Sequence, residues 1–314
     1  MGTYILRRAA LAIPTLIFLT LAAFLLTSAS KGDPAEAALR AGGVEPTPEA
    51  IAAYREKLGL NDPLVIRYGR WVVNLAQGDL GTSFLSGRPV SEIIGERLGP
   101  TLRLGVTAFV ASTIVGVGLG IVFGLHAGST FDLAGRTVSL FLAAIPSFWL
   151  ALILIVVVSE KLKWLPVAGY GGVRYLILPV IALGCGPAAS LMRFTRSAVI
   201  DVWRQDFVRT ARAKGLAERT LVFRHALPNA LLPILTLLGL RFGQILAGAI
   251  VIESIFSWPG LGSTLLGAIS GRDLPVIGAY VLITGVSFVV VNLVTDVSYA
   301  VLDPRIKLGG GTSR

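Results

Sequence analysis

Six stretches of this chain run for 18 or more residues with almost no charge, and they decide what it can fold into. Ala9–Ser30, Leu104–Leu125 and Leu274–Thr295 each hold 22 residues, Thr137–Ser159 holds 23 and Tyr175–Met192 holds 18, all without a charged side chain. Ala226–Ile252 is interrupted only by Arg241. A helix needs about 20 apolar residues to cross roughly 30 Å of hydrocarbon. The expected fold is therefore an all-α integral membrane protein with six transmembrane helices. The composition agrees: 54% of residues are hydrophobic and 15% charged, against about 25% charged in soluble domains. Pro179, Gly184, Gly186 and Pro187 are expected to kink the fourth helix. Prolines and glycines are tolerated in spans when neighbouring helices satisfy the freed backbone groups.

Lysine and arginine in short loops set the orientation. With the N-terminus inside, 14 basic residues face the cytoplasm, eight of them between Arg193 and Arg224, and only Lys161, Lys163, Arg174 and Arg272 lie in the short outer loops. Both termini are thus expected in the cytoplasm. The first apolar run is longer than the roughly 7–15 residues of a signal-peptide core, so an uncleaved first helix is favoured. The expected organisation is residues 1–30 as N-terminus and first span, 31–103 as an extracytoplasmic helical insertion, 104–303 as the core and 304–314 as a cytoplasmic tail.

Little in the chain points to covalent chemistry. The two histidines, His126 and His225, lie far apart, and no cysteine–histidine cluster has metal spacing. There is no G-x-x-x-x-G-K-[ST] phosphate loop. The net charge of +10 lies mostly where insertion rules place it, so it is no nucleic-acid signal. The single Cys185 allows no internal disulfide.

Two segments carry more. In the insertion, "TPEAIAAYREKLG" reads as a helix with Thr47 as cap and Gly59 as its end, and "NDPLVIRYGRWVVNLAQGD" as a second with Asn61 or Asp62 as cap. Leu64, Tyr68, Trp71, Val72 and Leu75 form a stripe at helical spacing. The insertion is either a cap packed on the membrane helices or a lip that meets a partner. The other segment, "RTARAKGLAERTLVFRHALPNALLP" from Arg209 to Pro233, is the most basic in the chain. Arg212 and Lys214 suit the negative end of one helix, and Gly215 can take the left-handed conformation that closes it. A second short helix, about Ala217 to Ala226, then leaves at a new angle, and Pro228 re-aims the chain into the next span. On residue pattern alone this is a stiff knuckle or a positive-inside loop lying on lipid.

In order along the chain, "LRRAALAIPTL", "REKLGLNDPLVIRYGRWV", "GDLGTSF", the basic segment, "ESIFSWPGLG" and "DPRIK" resemble the permease subunit of binding-protein-dependent ABC importers of the dipeptide/oligopeptide/nickel family. The basic segment matches that family's coupling motif, EAA-x-x-x-G-x9-I-x-L-P. Gly215 takes the glycine position, His225 stands in place of isoleucine, and Leu227 and Pro228 complete it. Arg209, Thr210 and Ala211 replace Glu-Ala-Ala, so only the alanine matches. The resemblance implies that Arg209, Thr210, Ala211, Lys214, Gly215, Leu216, Glu218, Arg219, His225, Leu227 and Pro228 form a coupling helix that docks on an ATPase subunit.

It further implies a bacterial or archaeal plasma (inner) membrane location and no cofactor bound by this chain, with ATP and magnesium used by partner subunits. Those partners would be a second related permease, two ATP-binding subunits and an extracytoplasmic solute-binding protein. Tyr68, Trp71 and Trp258 are candidates for contact with the last. Arg241, Glu253 and Asp296 lie in or beside spans, where charges face the bundle interior or water and often pair. Arg241 and Asp296 are read as a structural pair or as part of the substrate path, and Glu253 as a helix cap or a gate. A stand-alone channel or secondary transporter would predict inverted repeats, and none is seen. Peptide, nickel chelate and glutathione-like solutes stay open as substrates.

Overall fold

The structure is a computed structural model that describes residues 2–28, 33–57 and 59–302; some side chains within α1 and α2, between 219 and 240 and at the end of the last helix lie outside that description. The described residues are helical, with a single isolated bridge between Thr82 and Pro89. The helices are α1 (Gly2–Ser28), α2 (Pro34–Ala41), α3 (Pro48–Lys57), α4 (Leu64–Ala76), α5 (Val90–Leu125), α6 (Thr130–Ala144), α7 (Ser147–Leu154), α8 (Val173–Trp203), α9 (Asp206–Ala213), α10 (Glu218–Thr220), α11 (Leu227–Ile255), α12 (Leu261–Ser270) and α13 (Leu274–Leu302). Among the described residues, four helices are long and apolar enough to span a bilayer, and a bent pair supplies a fifth. The first expected span is the continuous α1, whose described side chains make a shorter apolar helix, Ile13–Leu25.

The bent pair corrects the third expected span. The run Thr137–Ser159 is not one rod: Thr130–Ala144 and Ser147–Lys161 meet at 99°. The break falls at Pro146, where Ile145 is extended (φ −74°, ψ 122°). A proline disfavours the α conformation in the residue before it, and its missing N–H ends the helical ladder. The fourth span behaves the other way. Despite Pro179 and Pro187, α8 is a single helix of 31 residues.

The chain divides into two compact units, one of residues 7–101 with 259–289, the other centred on 102–258. In the second, α8 is the hub, with Leu178, Ala182 and Leu183 buried against Leu104 and Ala108 of α5 and Ile245, Ala249 and Ile252 of α11. Small residues allow the close approach of α5. Gly116, Gly120 and Gly124 recur every fourth residue, and a Cβ on Gly120 would lie 2.5 Å from the Thr195 Cβ and 2.7 Å from the Met192 carbonyl oxygen. Such spacing lets membrane helices pack backbone to backbone. Gly118, on another side, has no atom of the described residues within 4 Å of its Cβ position. We expect Gly120→Leu to cost about 3 kcal/mol by overpacking and Gly118→Leu to cost little, read as thermal unfolding midpoints of the detergent-solubilised protein.

The other unit holds the insertion. Thr47 caps α3 through its Oγ1, which accepts from Ala50 N at 3.2 Å, and Gly59 has φ +63°. The expected cap of α4 is not formed: Pro63 occupies that position without a side-chain bond, while Asp62 pairs with Arg70 at 2.6 Å. An additional helix, α2, is capped by Asp33, whose Oδ1 accepts from Ala35 N at 2.9 Å. Tyr68 and Trp71 hold α4 on α1. Tyr68 Oη lies 2.9 Å from Thr20 Oγ1, and the Phe24 ring sits 5.4 Å from Tyr68 and 5.9 Å from Trp71. The turn-rich segment before α5 is tied to the start of α13 by the buried Asp273. Its carboxylate accepts from Ser83 Oγ at 2.5 Å, Phe84 N at 3.0 Å and Leu85 N at 3.3 Å. Asp273→Ala strands those donors at a cost of about 3 kcal/mol. The check is hydrogen exchange: the Phe84 and Leu85 amides should exchange faster while α8 stays protected.

Candidate functional site

The basic segment is built from the end of α8. Trp203 is its last helical residue, Gln205 is extended, and α9 starts with Asp206 at its positive N-terminal end, where an acidic side chain is favoured. Eight residues later the helix closes as the sequence predicts. Gly215 has φ +75°, its N donates to Arg212 O at 3.0 Å, and Leu216 N donates to Ala211 O at 3.3 Å. These are the paired bonds of a Schellman cap, which satisfies the last carbonyls and needs a residue free to adopt positive φ.

One arginine ties the knuckle together. The Arg212 guanidinium lies over the Trp203 ring at 5.3 Å and reaches Glu218 at 3.5 Å. It thus links the last turn of α8, the last turn of α9 and the first of α10. Val208 is fully buried and anchors α9. Arg209, Thr210, Lys214, Leu216 and Glu218 are exposed and Ala211 is half-buried. Arg209 sits 3.8 Å from Asp206, an exposed pair that contributes little by itself. The knuckle therefore presents a rigid, largely cationic surface with Phe207 and Leu216 as apolar points.

Beyond Glu218 the structure departs from expectation. The second helix does not end at Pro228 and re-aim. Glu218–Thr220, a π-helical stretch Leu221–Ala226 and α11 form one unbroken helical run to Ile255. In an α-helix the Pro228 ring would meet the carbonyl of residue 224. The wider i→i+5 turns of the π stretch lie where that clash would fall. The knuckle is thus joined stiffly to the next span. Leu227 is half-buried, and the side chains of Arg219, His225 and Pro228 lie outside the described residues.

Arg241 and Glu253 have different surroundings. Arg241 is partly exposed and donates from Nη1 to Gln244 Oε1 at 3.2 Å, one turn on. Asp296, the partner considered for it, has a side chain outside the described residues. Glu253 is wholly buried. Its carbonyl accepts from Trp258 N at 2.7 Å in the turn that ends α11, where Ser257 has φ +50°. Trp258 is also buried, with Tyr170 edge-on at 4.8 Å, so it offers no surface to a partner in this conformation. Tyr68 and Trp71 pack on α1 as described above, while α4 leaves Val65 exposed.

A pair that spacing could not reveal lies near the knuckle. Arg196 of α8 holds Asp132 of α6 with two bonds, Nε to Oδ1 at 2.5 Å and Nη2 to Oδ2 at 2.6 Å. Gly128 N adds a third at 3.0 Å. The Asp132 side chain is 2% exposed and that of Arg196 18%. The two residues are 64 positions apart. In the sequence Arg196 is one of eight basic residues counted toward topology. The only local signal was an acid, Asp132, standing alone beside an apolar run.

Comparison with known proteins covers nearly the whole chain. Residues 116–308 match the family described as binding-protein-dependent transport system inner membrane component. Residues 1–105 match the N-terminal family of membrane components of such systems. A glutathione transport system permease protein from Salmonella paratyphi A is 40% identical over 307 residues, covering 98% of this chain and 99% of the relative. Its counterpart from Escherichia coli K12 is 39% identical over the same length, with coverage of 98% and 99%. A dipeptide transport system permease protein from Alkalihalophilus pseudofirmus is 38% identical over 335 residues, covering 98% of this chain and all of the relative.

Proposed function

This chain belongs to the binding-protein-dependent transport system inner membrane component family, and from that membership we propose that it forms half of the pore of an ATP-driven importer for a peptide-like solute. Relatives named for glutathione and for dipeptide transport support that substrate class, since glutathione is itself a small peptide. The observation that carries the reading is the knuckle: a Schellman-closed α9 with Arg212 bridging three helices and its basic face exposed.

The mechanism is alternating access. A solute-binding protein delivers the solute at the outer face, and ATP binding in two partner subunits draws the knuckles together. The unbroken run from Glu218 to Ile255 carries that displacement into the span. Bistable packing turns a small shift at one end into a change of state. A second related permease completes the pore. ATP and magnesium act in the partner subunits, and this chain contributes shape and movement. Arg209, Thr210, Lys214, Leu216 and Glu218 form the docking surface, with Gly215 setting its geometry. Glu253, buried beside the turn that ends α11, serves as a gate in the path or as a cap of its helix.

The test is uptake into proteoliposomes holding the purified complex, its binding protein and internal ATP. Labelled glutathione and labelled dipeptides should accumulate only with all components present. Accumulation by this chain without ATP-binding subunits would overturn the reading, and exclusive uptake of a non-peptide solute would overturn the substrate class.

A further inference from the structure

The centre of α11 holds a cation that pairs with no acid among the described residues. Arg241 stands 14 residues from either end of that helix, about 21 Å at 1.5 Å per residue, within a run from Ala226 to Ile252 that carries no other charge. A charge at such a depth is costly in hydrocarbon, so it faces protein or water. A guanidinium has five N–H donors and no acceptor. Arg241 donates from Nη1 to Gln244 Oε1 at 3.2 Å, and that is its one hydrogen bond among the described residues.

The bond leads directly to a cleft. Gln244, Ile245 and Gly248 follow Arg241 at three, four and seven residues and so share its face of the helix. They form one wall of a space of about 210 Å³. Ser147 of α7 and Leu183, Gly186 and Pro187 of α8 stand across from them. Two interruptions of regular backbone therefore meet here. Pro146 parts α6 from α7 immediately before Ser147, and Pro187 has no N–H to give the Leu183 carbonyl. Backbone of that kind is tolerated at membrane depth where it is buried in protein or lines a watery cavity, and discontinuous helices build the solute sites of many transporters. The cleft offers a hydroxyl and an amide beside the cation. Its volume is below the roughly 300–1,000 Å³ of a complete small-molecule site, which fits one wall of a pore closed by a second permease.

We propose that the solute passes through this cleft and that Arg241 holds its carboxylate there, with Gln244 orienting the guanidinium. This rests on the reading of the chain as half of a pore for a peptide-like solute. Such solutes carry a carboxylate at one end, and a guanidinium grips that group with two parallel bonds. The amide of the same peptide has no charge there to offer.

Ser147→Cys in a Cys185→Ala background puts the chain's single thiol in the cleft wall. The purified transporter complex, without its binding protein, is treated with methanethiosulfonates of opposite charge, and modification at position 147 is followed by mass spectrometry. Relative to their rates with a free thiol in solution, the anionic reagent should react at least about tenfold faster than the cationic one, the concentrating effect of a confined positive charge. Arg241→Gln should abolish that preference, and Arg241→Lys should keep it. Millimolar alanyl-alanine should slow the anionic reagent where its C-terminal amide does not, and Arg241→Gln should remove this protection. Equal rates for the two reagents would overturn the proposal, because Arg241 would then be neutralised, as by Asp296. No reaction with either would also overturn it and assign this face to packing against the companion permease. So would protection that is equal for acid and amide, or absent for both. Peptide uptake by proteoliposomes of the parent complex tests the underlying importer reading separately.

Discussion

Gly215→Pro should leave the importer inserted and assembled in the membrane yet reduce solute uptake at least about tenfold, the equivalent of about 1.4 kcal/mol, while ATP hydrolysis continues. Gly215 has φ +75°, whereas proline fixes φ near about −65°. The substitution also removes the N–H that donates to Arg212 O at 3.0 Å, so the Schellman cap cannot form. Among the described residues nothing lies within 4 Å of a Cβ at this position, so the lesion acts through the backbone. Gly215→Ala is the graded comparison. It keeps the N–H and meets only the left-handed penalty, about 1–2 kcal/mol, and should lose less uptake than proline. Uptake and hydrolysis measured in the same proteoliposomes separate uncoupling from collapse. Uptake of Gly215→Pro at the level of the parent protein would show that the cap geometry is not needed.

The second large effect concerns folding. Arg196→Ala leaves the Asp132 carboxylate buried with Gly128 N as its remaining outside donor. Breaking a buried pair by removing one partner costs about 3–5 kcal/mol. The unfolding midpoint of the solubilised protein should fall sharply, and the α6–α8 region should become accessible to protease. Replacing both members with apolar residues, Asp132→Leu with Arg196→Met, should recover much of the loss, because apolar packing often equals a buried ion pair. If Arg196→Ala unfolds at the parent temperature, the pair contributes nothing. If the double variant is no better than the single, the pair does something that packing cannot replace.

The apolar runs were legible because hydrocarbon demands length and lack of charge from any helix that crosses it. Gly215 was legible because a Schellman cap is local: six residues contain all its bonds. The break at Pro146 was equally local, yet a run of 23 uncharged residues hid it, since composition alone does not distinguish a rod from a bent pair. At Pro228 the opposite occurred. Proline signals a helix end, but the helical run continues through residue 228, with a π stretch directly before it. Asp132 with Arg196, and Ser83 with Asp273, were beyond reach because their partners lie 64 and 190 residues away. Tyr68 and Trp71 stayed open between a cap and a partner-facing lip because a stripe has the same spacing whether it faces a partner or the chain's own helices.

Docking of the knuckle on an ATP-binding subunit is tested most directly by site-specific photo-cross-linking. A benzophenone amino acid replaces Leu216, which is exposed beside Gly215, in the complete complex. A matched probe replaces Trp149, exposed on α7 within the bent span. Docking predicts a strong adduct between position 216 and the ATP-binding subunit, altered in yield by a non-hydrolysable ATP analogue, and none from position 149. An intact complex that gives no adduct from position 216, or one only with lipid, would contradict it.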